Sequence, residues 1–249
     1  MTQMLASVTS VEEALLALEL GADIIDLKNP HDGALGALPL ATLASIVIAI
    51  DGRRTVSATI GDAPDDAARI AQKVVATAAT GVDIVKIGIA TSRSQLTFWQ
   101  GKADLAGPRP ATGAGPEPAS TRLVAVLFAD KAFDLAWIDA LAERGFYGVM
   151  LDTADKRAGG LRSHCDDAQL RNFVQRAHSK HLMCGLAGSL RLDDIAPLLA
   201  LSPDYLGFRG ALCRNTSRTD QLDADAFRAV RARIFDLDAT SEPFASSVA

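Results

Sequence analysis

Cysteine, aromatic residues and long apolar runs are all scarce in this chain, and each scarcity excludes a class of protein. The three cysteines, Cys165, Cys184 and Cys213, are too few and too scattered for a disulfide framework or a zinc-ligand pattern. They suit a reducing, cytoplasmic setting. Only 5% of residues are aromatic, so alanine, leucine, valine and isoleucine must fill the core. No apolar run is long enough to span a bilayer. The start, Met1 to Leu5, carries no basic segment before an apolar one, so no secretory signal is expected. Positive charge is also in deficit. The formal net charge of −5 argues against a nucleic-acid or anionic-membrane partner, so an anionic ligand needs a local basic site.

What is present is a strand-then-helix pattern repeated through 249 residues. Short runs rich in β-branched residues predict strands near Met4–Val8, Asp23–Leu27, Thr55–Thr59, Asp83–Gly88, Leu123–Phe128, Gly148–Leu151, Leu182–Leu186 and Asp204–Phe208. Amphipathic stretches predict helices over Val11–Leu20, Pro39–Ile50, Asp65–Thr80, Asp134–Arg144, Asp166–Lys180, Asp193–Ala200 and Asp223–Phe235. Many open on aspartate, which caps helix starts, and Gly21, Gly81 and Gly145 mark helix ends. The count and length fit a single-domain α/β fold, a (β/α)8 TIM barrel over residues 1–237. An open doubly wound sheet is the alternative, but no Gly-x-Gly-x-x-Gly follows the first strand. The Pro/Gly-rich stretch 107–120 reads as a surface insertion, and 238–249 as a disordered tail.

Strand parity then concentrates charge in one place. Side chains alternate along a strand, so Asp26 and Lys28, Lys86, Asp152 and Arg209 all fall on the inward face. They sit near the C-terminal ends of strands two, four, six and eight, where barrels keep their active sites. Alternate strands feed common layers, so one shared charged layer is expected. Internal ion pairing alone is the competing account, but buried pairs contribute little stability. A buried lysine beside a second cation loses its proton more easily and can attack a carbonyl. Lys28 and Lys86 are the candidates. Lys156, four residues beyond Asp152, can reach over the mouth, although alone it reads as an ordinary loop lysine. Asp26 and Asp152 are candidates for proton transfer, or for plain salt bridges to the lysines.

Two glycine loops, Gly185 to Ser189 and Gly207 to Ala211, follow strands seven and eight. Barrels often bind phosphate there, which nominates Gly188, Ser189, Arg209, Gly210 and Ala211. His178 and His181 lack further ligands and read as solvated surface, so no metal is expected. His164 beside Cys165 has no partner to complete a triad, and His31 follows Lys28 without an assigned role.

Several strings are more distinctive than generic loops. They are Gly21-Ala-Asp-Ile-Ile-Asp26-Leu-Lys28-Asn-Pro30, Gly33-Ala-Leu-Gly36, Val56-Ser-Ala-Thr-Ile-Gly-Asp62, Val85-Lys86-Ile-Gly88, Met150-Leu-Asp152-Thr-Ala-Asp-Lys156, Leu186-Ala-Gly188-Ser189 and Gly207-Phe-Arg209-Gly-Ala211. Together, from about Leu5 to Phe235, the chain resembles the (5-formylfuran-3-yl)methyl phosphate synthase family, also called 4-(hydroxymethyl)-2-furancarboxaldehyde phosphate synthase. The insertion and the tail depart from the compact archaeal pattern. The resemblance implies a carbon–oxygen lyase acting on phosphates. It would condense two molecules of glyceraldehyde 3-phosphate into a phosphorylated furan aldehyde, on the way to a methanofuran-type one-carbon carrier. It implies Lys28 as the Schiff-base lysine, with Asp26, Lys86, Asp152 and Lys156 at the other catalytic positions. No cofactor is implied, because the amine supplies the electron sink. A class I aldolase acting on triose phosphates and a non-catalytic phosphate-ligand-binding barrel are the competing functions. A homo-oligomer is compatible with the sequence.

Overall fold

The computed structural model describes residues 1–61, 66–89 and 120–241. Eight parallel strands close into a barrel in chain order. They are β1 (Gln3–Val8), β2 (Ile24–Leu27), β3 (Thr55–Thr59), β4 (Ile84–Gly88), β5 (Arg122–Phe128), β6 (Gly148–Asp152), β7 (Met183–Leu186) and β8 (Tyr205–Phe208). Pairing of β1 with β8 completes the ring, so no strand edge is left open. This is the single (β/α)8 barrel that the sequence predicts.

Among the described residues the helices are α1 (Val11–Glu19), α2 (Leu40–Ile50), α3 (Ala67–Ala78), α4 (Ala136–Glu143), α5 (Leu161–His164), α6 (Asp167–Ser179), α7 (Leu192–Leu199) and α8 (Ala224–Ser241). Local chemistry sets their starts. The Ser10 hydroxyl accepts from the Glu13 amide at the head of α1, and Asp166 with Gln169 forms a capping box on α6. Two features escape the periodicity. The one-turn helix α5 and the 3-10 turns Gly210–Leu212 and Arg214–Thr216 are too short to show a repeat. Helix α8 also runs on to Ser241, so the start of the expected tail is helical. The rest of the tail, and the expected insertion except Ser120, lie outside the described residues.

Two apolar cores follow from strand parity. Ile25, Leu27, Val85, Ile87, Val149, Leu151, Leu206 and Phe208 face outward and join the helix core. Leu5, Ile24, Ile84, Val124, Val126 and Met150 fill the barrel interior instead. That inner plug floors the C-terminal mouth, and the charged ends of the even strands rise above it.

Candidate active site

Asp26 is fully buried on β2 and accepts three contacts at once. Lys86 Nζ lies 2.6 Å from Oδ1, Ser57 Oγ donates to Oδ1 at 2.7 Å, and Ser7 Oγ donates to Oδ2 at 2.9 Å. Burial alone would push the Asp26 carboxyl up. The Lys86 and Lys28 ammonium groups outweigh it, so the group stays below the usual carboxylate range. Lys86 is 2% exposed. Burial, helped by the charge of Lys28, holds its amine below the ordinary lysine range against the pull of Asp26. Met150 Sδ approaches Lys86 Nζ at 4.0 Å, which leaves little room for water there.

A second cluster stands one step nearer solvent. Asp152, at the end of β6, pairs with the Lys156 ammonium and lies 3.8 Å from Lys28 Nζ. Its Oδ1 also accepts from the Thr153 amide at 2.7 Å. Burial would raise this carboxyl too, yet Lys156 and then Lys28 bring it down to about 2. Lys156 is pulled below the ordinary lysine range by burial, partly offset by Asp152. The Lys28 ammonium makes no hydrogen bond among the described residues; Asp152 is its nearest carboxylate. Lys28, Asp152 and Lys156 line a cavity of about 630 Å³ at the mouth.

The expected single charged layer is therefore two tiers, Asp26–Lys86 below and Lys28–Asp152–Lys156 above. The reason is the two-residue step from Asp26 to Lys28 along one inner face. Ser7 and Ser57 were missed because they are uncharged and sit on odd-numbered strands. The signal that could have found them is register, since both are the Cα partners of Asp26 across β1 and β3.

Arg209 does not join the charged layer, which corrects the sequence expectation. Its guanidinium turns toward α1 and forms a two-pronged pair with Glu13, at 2.6 and 3.1 Å. The other N–H groups go to the carbonyls of Ser7, Arg218 and Asp220. All five of its donors are thus engaged within the protein, and none remains for a phosphate. All the nominated phosphate residues, Gly188, Ser189, Arg209, Gly210 and Ala211, border the cavity. Gly185 does not serve that loop: a Cβ there would meet the Tyr205 ring at 2.0 Å. Besides Arg191, Arg218 is a cavity-lining cation that no motif in the sequence singles out. It borders the cavity from the loop after β8, and nothing in its polar surroundings, Thr216-Ser-Arg218-Thr, distinguishes it by pattern.

The discounted groups lie elsewhere. His178 Nε2 sits 3.0 Å from Asp204 Oδ2, beside the residue that opens β8 at the opposite end of the barrel. The three cysteines are buried and unpaired. Among the described residues no three histidine, cysteine or acidic side chains are grouped to hold a metal.

Comparison with known proteins gives concordant matches. The 4-HFC-P synthase family model matches residues 4–231. The (5-formylfuran-3-yl)methyl phosphate synthase of Methanopyrus kandleri is 35% identical, covering 87% of this chain and 91% of its own. A Methylorubrum extorquens protein provisionally given that name is 42% identical over 92% of both chains. Among solved structures, a phosphoribosyl anthranilate isomerase from Thermus thermophilus superposes with a TM-score of 0.63 at 16% identity, covering 95% of this chain and 100% of its own. That likeness concerns the barrel alone.

Proposed function

The chain belongs to the 4-HFC-P synthase family, and we propose that it condenses two glyceraldehyde 3-phosphate molecules through a Schiff base on Lys28. One observation carries this reading. The cavity is lined by five cations, Lys28, Lys156, Arg191, Arg209 and Arg218, against two carboxylates, Asp152 and Asp193, with the neutralising Lys86–Asp26 pair below. A pocket with that excess of positive charge favours a phosphorylated ligand, in a protein whose overall charge is negative.

Among the lysines, Lys28 is the one suited to attack. It faces the cavity, and among the described residues its amine makes no hydrogen bond. Lys86 is locked against Asp26, and Lys156 against Asp152. One triose phosphate is first isomerised to its ketone form. Lys28 adds to that ketone and water leaves, giving an imine. Loss of a proton from the adjacent carbon gives the enamine, which attacks the aldehyde of the second triose phosphate. Elimination of one phosphate, ring closure and loss of water then release the furan aldehyde phosphate and free the amine. The balance over two substrates is one phosphate and two waters, with no net oxidation. Asp152 and Lys156, beside the amine, exchange protons with the reacting carbons and oxygens. Lys86, whose proton is held loosely, and Asp26 complete the relay below.

Borohydride reduction in the presence of glyceraldehyde 3-phosphate tests this. Mass spectrometry is expected to find a substrate-derived adduct on Lys28, and Lys28→Arg is expected to form neither adduct nor furan chromophore. An adduct on a different lysine, or furan production by Lys28→Arg, would overturn the assignment. An adduct with an aldol product and no phosphate release would favour a simple aldolase instead.

A further inference from the structure

We propose that Arg218 is the residue that captures substrate phosphate over Lys28, and that Glu13 and Arg209 are positioning residues that hold it there. The proposal rests on the reading of the pocket as a triose phosphate site. Arg218 is half-buried and borders the same cavity as Lys28 and Lys156. Its Nη2 donates to the carbonyl of Gly33, on the loop that follows β2, at 2.8 Å. The side chain thereby spans the mouth from the loop after β8 to the loop after β2. That anchor uses one of five N–H donors, and among the described residues no carboxylate lies within ion-pair distance of the guanidinium. A planar cation held at one corner, with no other side-chain hydrogen bond among the described residues, suits two-pronged contact with a phosphate.

Arg218 stays in place because of the pair beneath it. Arg209 Nε donates to the Arg218 carbonyl at 2.9 Å, and Arg209 Nη2 to the Asp220 carbonyl at 2.8 Å. Arg209 is in turn fixed by Glu13 of α1. The Glu13 carboxylate also accepts from the Thr9 amide and hydroxyl, both at 2.9 Å, and from the Leu222 amide at 3.3 Å. One carboxylate therefore ties the first helix to both ends of the segment that presents Arg218. The arginine nominated for phosphate from the glycine loop after strand eight acts one step removed from it.

Steady-state kinetics with glyceraldehyde 3-phosphate separate capture from chemistry. Arg218→Gln is expected to raise KM about tenfold or more, with kcat changed by less than about threefold. Protection of the protein against thermal unfolding by inorganic phosphate is expected to weaken in parallel, and Arg218→Lys is expected to recover part of both. Glu13→Gln should show the same KM shift without a comparable fall in kcat. Unchanged KM and unchanged phosphate protection in Arg218→Gln would overturn the proposal, as would a loss confined to kcat. If Glu13→Gln proves unstable, equal phosphate protection in Arg218→Lys and Arg218→Gln also counts against it. Phosphate protection needs no turnover. A wild-type protein that gives no Lys28 adduct but keeps an Arg218-dependent phosphate site would sink the Schiff-base reading and leave this one standing.

Discussion

The Lys86 ammonium and the Asp26 carboxylate lie 2.6 Å apart with almost no exposure to water. Removing one member of such a pair leaves an uncompensated charge, typically at a cost of about 3–5 kcal/mol, whereas removing both can be nearly neutral. Lys86→Met and Asp26→Asn should therefore each lower unfolding stability by about that amount, and the double variant by clearly less than the sum. Activity should follow a different rule. If the pair relays protons, the double variant stays at least about a hundredfold below wild type in kcat even though it folds. Urea unfolding and furan formation measured on the same three proteins decide it, and an active double variant would reduce the pair to packing. The pH dependence has a definite sign. Lys86 and Lys156 are held below the ordinary lysine range, so as proton-relay groups they become able to accept a proton as pH rises toward that lowered value. The rate should climb from acid pH, with its midpoint below that of a free lysine, about 10.4.

At the scale of the element, the strands were legible because each is a short β-branched run between turn residues, and parity then assigned inner and outer faces. What escaped was everything that depends on what a loop touches. The loop after β2 folds back so that Leu35 joins the inner plug, and the Asn29 amide closes it by donating to the Gly36 carbonyl at 2.8 Å. Leu35 is seated on Gly88, where a Cβ would meet Leu35 Cδ1 at 2.5 Å. Parity could place Gly88 on the inner face of β4 but could not supply the leucine that requires it. Arg209 failed for the same reason. Its parity was extended past Phe208, where β8 ends, and its partner Glu13 lies 196 residues away on a helix. A contact of that range has no periodic signature. Gly88→Val should push Leu35 and its loop outward and cost about 1–3 kcal/mol through overpacking. Because that loop continues from Lys28 and carries Gly33, which anchors Arg218, the rate of borohydride trapping should fall as well. Trapping at the wild-type rate in a destabilised Gly88→Val protein would separate the loop from the site.

Over the whole molecule, the pocket's positive charge sits inside a protein of formal net charge −5, and the barrel is what permits the contrast. Closed strands and an apolar plug exclude water from below, so Asp26 and Asp152 see mainly lysines. This makes acid stability a readout of the site. Asp152 is held at about 2 in the folded state, against roughly 3.9 for an unfolded aspartate. A depressed carboxylate pKa stabilises the fold fully above the unfolded value, and the contribution is lost as pH falls through the folded one. Asp152 should accordingly supply on the order of 2 kcal/mol that disappears between about pH 5 and pH 2. Asp26 is shifted in the same direction and adds to the same acid limb. Asp152→Asn should be less stable than wild type at neutral pH, since Lys28 and Lys156 lose their shared partner. Its stability should nevertheless fall less steeply on acidification, because the proton uptake that weakens the wild type is gone. Inorganic phosphate should stabilise this variant at neutral pH, since it meets the same unbalanced cations from the solvent side. Unfolding titrations at constant ionic strength, from pH 7 down to pH 2 with and without phosphate, measure both slopes. Parallel curves for the two proteins would mean that the acid limb arises outside the site.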